Sequence, residues 1–233
     1  MITRFFGQWD IPVDKVLYEN YFKDVESGTF IDCGAAEGAL YSNTFAFERE
    51  ANWTGLCLEP SPKAFAELIV NRPKATNLNI GLSNKDGVIT FTQAVHPVGT
   101  GAGLPAGGAV SYLPNLKKEI GAWGYNFSEI PINVLTYRTM VTKYNIIKVD
   151  LLVIDVEGHE MSVIEGMVGA SVLPKVICIE YPITGINKIT RALTNLGYRL
   201  DFVSYNNAFF SNGVESKEWF GKTKLWEGCY QDD

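Results

Sequence analysis

The stretch FIDCGAAEGALYSNTFAFE, Phe30 to Glu48, decides how the rest of the chain is read. An apolar run carries an acid, Asp32, near its end, passes a small-residue turn with Gly34 and Gly38, and continues into a helix-like segment. The glycines alone allow two readings, a nucleotide-binding turn or merely a tight connection. The pattern around them has to choose.

Downstream, short apolar runs alternate with longer helical segments, which predicts an α/β doubly wound sheet, mostly parallel. Strands are expected at Thr29–Cys33, Trp53–Leu58, Ala75–Ile80, Leu151–Asp155 and Val176–Glu180. Helices are expected from about Leu40 to Glu50, from Ser61-Pro62 to Asn71, after Asp155 through Met167, and over Ile186–Leu196 with Gly197 as its stop. Val88–Ala94 alternates apolar and polar residues and reads as an additional edge strand. Tyr198–Ser204 and Ala208–Ser211, around Asn206-Asn207, predict a C-terminal antiparallel hairpin. The region from about 95 to 130 is rich in glycine, with Gly99, Gly101, Gly103, Gly107 and Gly108, and reads as a long insertion or binding loop. No Lys-Ser/Thr pair follows its glycines, so it is not a phosphate loop.

At 233 residues the chain fits a single domain, with an N-terminal helical segment over about 1–27. The net charge of −6 argues against a nonspecific grip on nucleic acid or on an anionic membrane. No apolar run is long enough to span a bilayer, and MITRFFGQWDIP lacks the apolar core of a signal peptide. A cytoplasmic location is the expectation. The oligomeric state is not legible.

In an open parallel sheet, ligands bind beyond the carboxyl ends of the strands. Here those ends carry acids: Asp32, Glu59, Asp155 with Glu157, and Glu180. The first turn reads D-x-G-x-x-x-G where a dinucleotide fingerprint reads G-x-G-x-x-G. Ala36 occupies the middle position, and Glu37 brings negative charge toward any phosphate. A ligand with a positive centre and no phosphate fits better, and S-adenosylmethionine is such a ligand. Glu59 is placed to accept hydrogen bonds from two ribose hydroxyls.

FIDCGAAEG, SNTFAFE, WTGLCLEP, NIGLSN and LLVIDVEGHE together resemble the FkbM family of S-adenosylmethionine-dependent methyltransferases, over roughly Gly28 to Glu180. The resemblance implies a class I methyltransferase (Rossmann-like) fold with strand order 3-2-1-4-5-7-6. It also implies O-methylation of a hydroxyl on a sugar, glycan or small natural product. Carried over by motif, Asp32, Gly34, Ala35 and Gly38 would line the methionine part of the cofactor. Ser42 and Asn43 would contact its carboxylate, Glu59 the ribose, and Ile80, Gly81, Leu82 and Ser83 the adenine. Asp155 would face the methionine amino group or the transferring methyl.

A sugar hydroxyl is weakly acidic and needs a base or a metal. His159, just after Asp155-Val-Glu157-Gly, is the leading base candidate, although it can equally cap its helix or orient Glu157. Asp155 and Glu180 complete the catalytic set; they can alternatively hold Mg²⁺, but no third ligand is legible and no metal is assigned. Two further readings stand beside the enzyme: a cofactor-binding interaction protein without catalysis, and an NAD-dependent oxidoreductase that lacks its glycine fingerprint.

Overall fold

The computed structural model describes residues 1–98, 107–110, 114–213 and 218–225. Helix α1 (Val13–Leu17) runs into a π-helical turn, Tyr18–Phe22, and then to β1 (Thr29–Cys33). There follow α2 (Phe45–Glu50), β2 (Thr54–Leu58), α3 (Pro62–Asn71), β3 (Thr76–Leu78), β4 (Gly81–Leu82), β5 (Gly87–Val95) and β6 (Gly107–Ala109). The second half contains α4 (Pro114–Ala122), β7 (Asn126–Leu135), α5 (Tyr137–Lys143), β8 (Leu151–Ile154) and α6 (Glu160–Glu165). It closes with β9 (Val176–Glu180), α7 (Ile186–Asn195), β10 (Arg199–Ser204) and β11 (Asn207–Ser211).

The main sheet has seven strands in the order β10-β11-β9-β8-β1-β2-β3. Only β11 runs against its neighbours, pairing antiparallel with both β9 and β10. Numbered within this sheet alone, the order is 3-2-1-4-5-7-6. The central strands are apolar on both faces because both are covered, as parallel sheets require. On one face Ile31, Leu152, Ile154, Ile177 and Ile179 pack with Tyr137, Val163, Ile189 and Leu193. On the other, Phe30, Leu151, Val153 and Cys178 pack with Val16, Leu17, Phe47 and Trp53. Successive residues of one strand thus serve opposite cores, the period-2 rule of extended chain.

Register sets the level of the rim. Cys33 lies opposite Leu58 and Ile154, and Ile154 opposite Ile179. The next residues in each strand, Gly34, Glu59, Asp155 and Glu180, therefore emerge side by side.

Two expectations are corrected. The Val88–Ala94 strand is not an edge: β5 is flanked by β7 and β6 in a second sheet of order β4-β7-β5-β6. The 95–130 region is not one long loop either, since it contains β6, α4 and the start of β7. Pro114 opens α4, where a missing backbone N–H costs nothing. Gly108 fits because a Cβ there would lie 2.3 Å from the Phe91 ring. Gly99, Gly101 and Gly103 lie outside the described residues.

Candidate functional site

A cavity of about 770 Å³ opens at the carboxyl rim of the main sheet, in the size range of small-molecule sites. The strand ends Asp32, Glu59, Asp155 and Glu180 all line it. The second sheet forms the facing wall with Ile89, Phe91, Ile132 and Val134. Among the described lining residues there is no lysine or arginine.

Each acid is held differently. The Asp32 carboxylate accepts the Thr44 hydroxyl at 2.6 Å and has the Arg72 guanidinium 3.9 Å away. One Glu59 oxygen accepts the Ala36 N–H (2.9 Å) and the other the Ser61 N–H (2.7 Å). Two backbone donors thereby fix the plane of the Glu59 carboxylate. The Ser61 hydroxyl, expected to cap α3, instead donates to Gln93 at 3.1 Å on the second sheet.

After β8 the chain turns through two left-handed residues, Glu157 (φ 52°) and Gly158 (φ 95°). The turn is secured by buried Glu160, which accepts the Gly158 N–H (3.0 Å) and the Thr184 hydroxyl. It brings Glu157 beside the strand ends, so that carboxylate oxygens of Asp155, Glu157 and Glu180 lie within 4.8 Å of one another. Asn206 donates to Glu180 and accepts the Trp9 indole N–H at 2.9 Å; Trp9 stacks on Tyr205 with centroids 4.9 Å apart.

Burial, and then mutual repulsion, raise the proton affinity of the three acids. Glu157 is pushed up to about 8 by burial and by the Asp155 charge. Asp155 is pushed up to about 6 by burial and by Glu160. Glu180 is raised well above the carboxylate range by burial, Asp155 and Glu157. Burial also takes Glu59 to about 7, against its two backbone donors. Folded-state values above the unfolded ones mean that the native protein holds protons the unfolded chain releases. The stabilisation is complete below about pH 4 and declines as pH rises through about 6 to 8. The ligand-free protein should therefore melt progressively lower between pH 5 and 8, and Glu157→Gln should flatten that slope in thermal scans.

A family model, the Methyltransferase FkbM domain, matches residues 32–200. The chain belongs to the FkbM methyltransferase family. No curated protein matches it. A solved structure, described as methyltransferase FkbM from Methylobacillus flagellatus KT, aligns with a TM-score of 0.46 and 12% identity. The match covers 82% of this chain and 46% of that one, so the matched part spans less than half the other's length. Membership makes a methyltransferase the favoured reading over a dinucleotide oxidoreductase or a noncatalytic binder. No helix among the described residues is long and apolar enough to cross a membrane.

Within this FkbM domain, most residues singled out from sequence converge. Gly34, Ala35, Ser42 and Asn43 join Asp32 and Glu59 on the cavity wall, and Ile80, Gly81 and Leu82 line its apolar part. Gly38 does not. A Cβ there would meet Leu68 at 2.5 Å and Arg72 at 2.6 Å, so this glycine (φ 87°) serves the packing of α3. Ser83 also lies off the wall; its hydroxyl is 3.0 Å from His159 Nε2. His159 lines the cavity, sits at the N-cap of α6 without capping through its side chain, and has its proton affinity lowered by burial. Glu37 points away from the cavity. It accepts the N–H groups of Ala39 (3.2 Å) and Leu40 and the Asn71 amide (2.6 Å), tying the turn to α3.

Besides the facing wall, the residues that the FkbM motifs did not announce include Gln8 and Trp9, contributed by the N-terminal segment. Asp14 holds that segment by accepting the Phe6 N–H at 2.7 Å and the Gly7 N–H at 3.1 Å. Gly7 then bridges to Tyr41 on the turn after β1. Nothing local in GQWDIP announces a cavity wall, because the partners of Trp9 lie at 205 and 206.

Proposed function

We propose that this protein is an S-adenosylmethionine-dependent methyltransferase with a class I sheet, acting on a hydroxyl of a sugar, glycan or small natural product. The observation that carries the reading is the charge and donor set of the cavity. It presents acids at four adjacent strand ends and no basic side chain among its described lining residues. That set offers a phosphate no cationic partner and suits a cofactor whose reactive centre is a cation. When bound, S-adenosylmethionine supplies an electrophilic methyl group on a sulfonium centre.

Glu59, oriented by Ala36 and Ser61, is the acceptor for two ribose hydroxyls. Ile80 and Leu82 offer apolar contact to the adenine. Asp32 and Asp155, with Ser42 and Asn43, take the methionine end. The acceptor hydroxyl must lose a proton, and a base near neutrality is the most effective. Glu157, raised to about 8 beside Asp155 and Glu180, is suited to receive it at a carboxylate oxygen. His159 is the second choice, since its Nε2 is engaged by Ser83.

Calorimetric titration with S-adenosylmethionine and with NAD⁺ tests this. Binding of the first and not the second is expected; a folded protein that ignores S-adenosylmethionine would sink the reading. Glu59→Gln removes a charged acceptor worth about 1.5–3 kcal/mol, so cofactor affinity should fall about 10- to 100-fold; because the new amide NH2 also faces one of the two backbone N–H donors, a lower melting temperature is expected with it, and binding is measured well below that transition.

A further inference from the structure

The cavity has two unlike sides, and the proposed cofactor draws its polar contacts from one of them. The polar side chains come from the strand ends and turns of the main sheet and from the N-terminal segment, apart from Glu119 on α4. The second-sheet side contributes Ile89, Phe91, Val110, Ile132 and Val134, none of which carries a polar side-chain atom. With Ile130 these form a small apolar cluster, separate from both cores of the main sheet. Ile89 and Phe91 share one face of β5 by the period-2 rule, and Ile89 lies opposite Ile132 on β7.

This wall runs well past the place given to the adenine. Ile80 and Leu82 lie at its β4 edge, and from β4 the sheet continues through β7 and β5 to β6. That is three strand spacings, about 14 Å. A purine ring at the β4 edge leaves the apolar side chains of β5, and Val110 just past β6, without an occupant.

The mouth of the cavity is the second observation. Leu40 (43% exposed), Tyr41 (49%) and Trp123 (61%) are large apolar side chains open to solvent, and all three line it. Exposed apolar residues are ordinarily scattered singly; gathered at one opening they mark a binding surface. Leu40 and Tyr41 come from the turn after β1 and Trp123 from the end of α4, so two separate elements supply them. A free sugar fits such a lining poorly, because each hydroxyl laid against it loses water and gains no partner. A hydrocarbon gains there in proportion to the area it covers.

We propose that the acceptor is amphipathic. It presents its hydroxyl at the strand ends and lays an alkyl or alicyclic body on the β5–β7 wall, with Ile89 and Trp123 as specificity-determining residues. The inference rests on the proposed function and narrows its substrate class to lipid-like alcohols and to glycosides with a hydrocarbon aglycone.

The test uses the full chain loaded with S-adenosylhomocysteine, the demethylated form of the methyl donor. Methyl β-D-glucoside, hexyl β-D-glucoside and 1-hexanol are titrated with NMR detection, each below its aggregation limit. Hexyl glucoside should bind at least about 30-fold tighter than methyl glucoside; five fully buried methylenes would give about the square of that. 1-Hexanol should compete with it, and neither should displace S-adenosylhomocysteine. Ile89→Ser and Trp123→Ala, each shown to be folded by its thermal transition, should cut the hexyl preference at least about threefold, the scale of one methylene. Val88→Ser, 65% exposed on the opposite face of β5, should leave it unchanged. A hexyl preference below about threefold, or no binding of either hexyl probe by about 10 mM, overturns the inference. So does a preference that Ile89→Ser and Trp123→Ala both leave intact. Displacement of S-adenosylhomocysteine by the hexyl probes also overturns it, since the wall would then belong to the adenine. Failure of S-adenosylhomocysteine to load would instead overturn the proposed function, and this inference with it.

Discussion

Arg72→Ala is expected to cost about 3–5 kcal/mol of folding stability, the scale for breaking a buried ion pair from one side. Arg72 ends α3 and is fully buried. Its Nε donates to Glu48 at 2.7 Å, Nη1 to the Gly38 carbonyl (3.1 Å) and the Ser42 hydroxyl (3.2 Å), and Nη2 to Thr44 Oγ1 (3.0 Å). Thr44 in turn donates to Asp32. Alanine would leave Glu48 and Asp32, only 3% and 4% exposed, without their cation. Urea denaturation measures the loss. Removing the facing charge as well, in Arg72→Met with Glu48→Leu, should recover a substantial part, because two apolar groups replace an orphaned carboxylate. A single-variant loss below about 1 kcal/mol would mean that the network is energetically idle. The same contacts hold residues 38 to 44, so the variant should bind S-adenosylmethionine more weakly than its stability alone explains.

The second large effect is expected at Gly34. Its φ is +90°, and a Cβ there would sit 1.8 Å from the Asp155 carbonyl oxygen. That neighbour is backbone, itself held in the rim, where the Asp155 N–H donates to the Cys33 carbonyl and the Gly34 and Ala35 N–H groups both donate to Leu58. Relief requires separating β1 from β8. Gly34→Ala should therefore lose about 3 kcal/mol, from the left-handed backbone together with the overpacking. By displacing Asp155 it should also weaken S-adenosylmethionine binding at least about 10-fold. Gly81→Ala is the comparison: its Cβ would meet nothing closer than Val134 at 3.4 Å, and a change of under about 1 kcal/mol is expected. Equal unfolding midpoints for the two variants would refute the argument. Gly34 thus owes its identity to strand closure, whatever the ligand.

Gly34 and Gly38 show how far a motif can be read. The D-x-G-x-x-x-G turn suggested two ligand-facing glycines. Gly34 lines the cavity, yet the atoms that forbid a side chain belong to Asp155, just past β8, and Gly38 lies off the wall, where a Cβ would meet Leu68 and Arg72. Glu37 looked like a charge aimed at a phosphate and is instead a cap for the turn. For both glycines the deciding neighbour is at least 30 residues away in the chain, and Glu37 adds to its local cap a bond to Asn71, 34 residues on, beyond what spacing can express.

By itself the sequence determined the strands and helices of the main sheet and the acids at their ends. Those features depend on local quantities, namely apolar runs, turn residues and the polarity change where a strand leaves the core. Tertiary structure alone decided the second half of the site. The facing wall exists because residues 87–95 pair with 126–135 across a glycine-rich interval, and no residue within either segment announces its partner. It also decided that Trp9 reaches Asn206 and that the carboxylate oxygens of Asp155, Glu157 and Glu180 come within 4.8 Å of one another. Strand register and long-range side-chain contacts are properties of pairs, and a sequence displays only one member of each pair at a time.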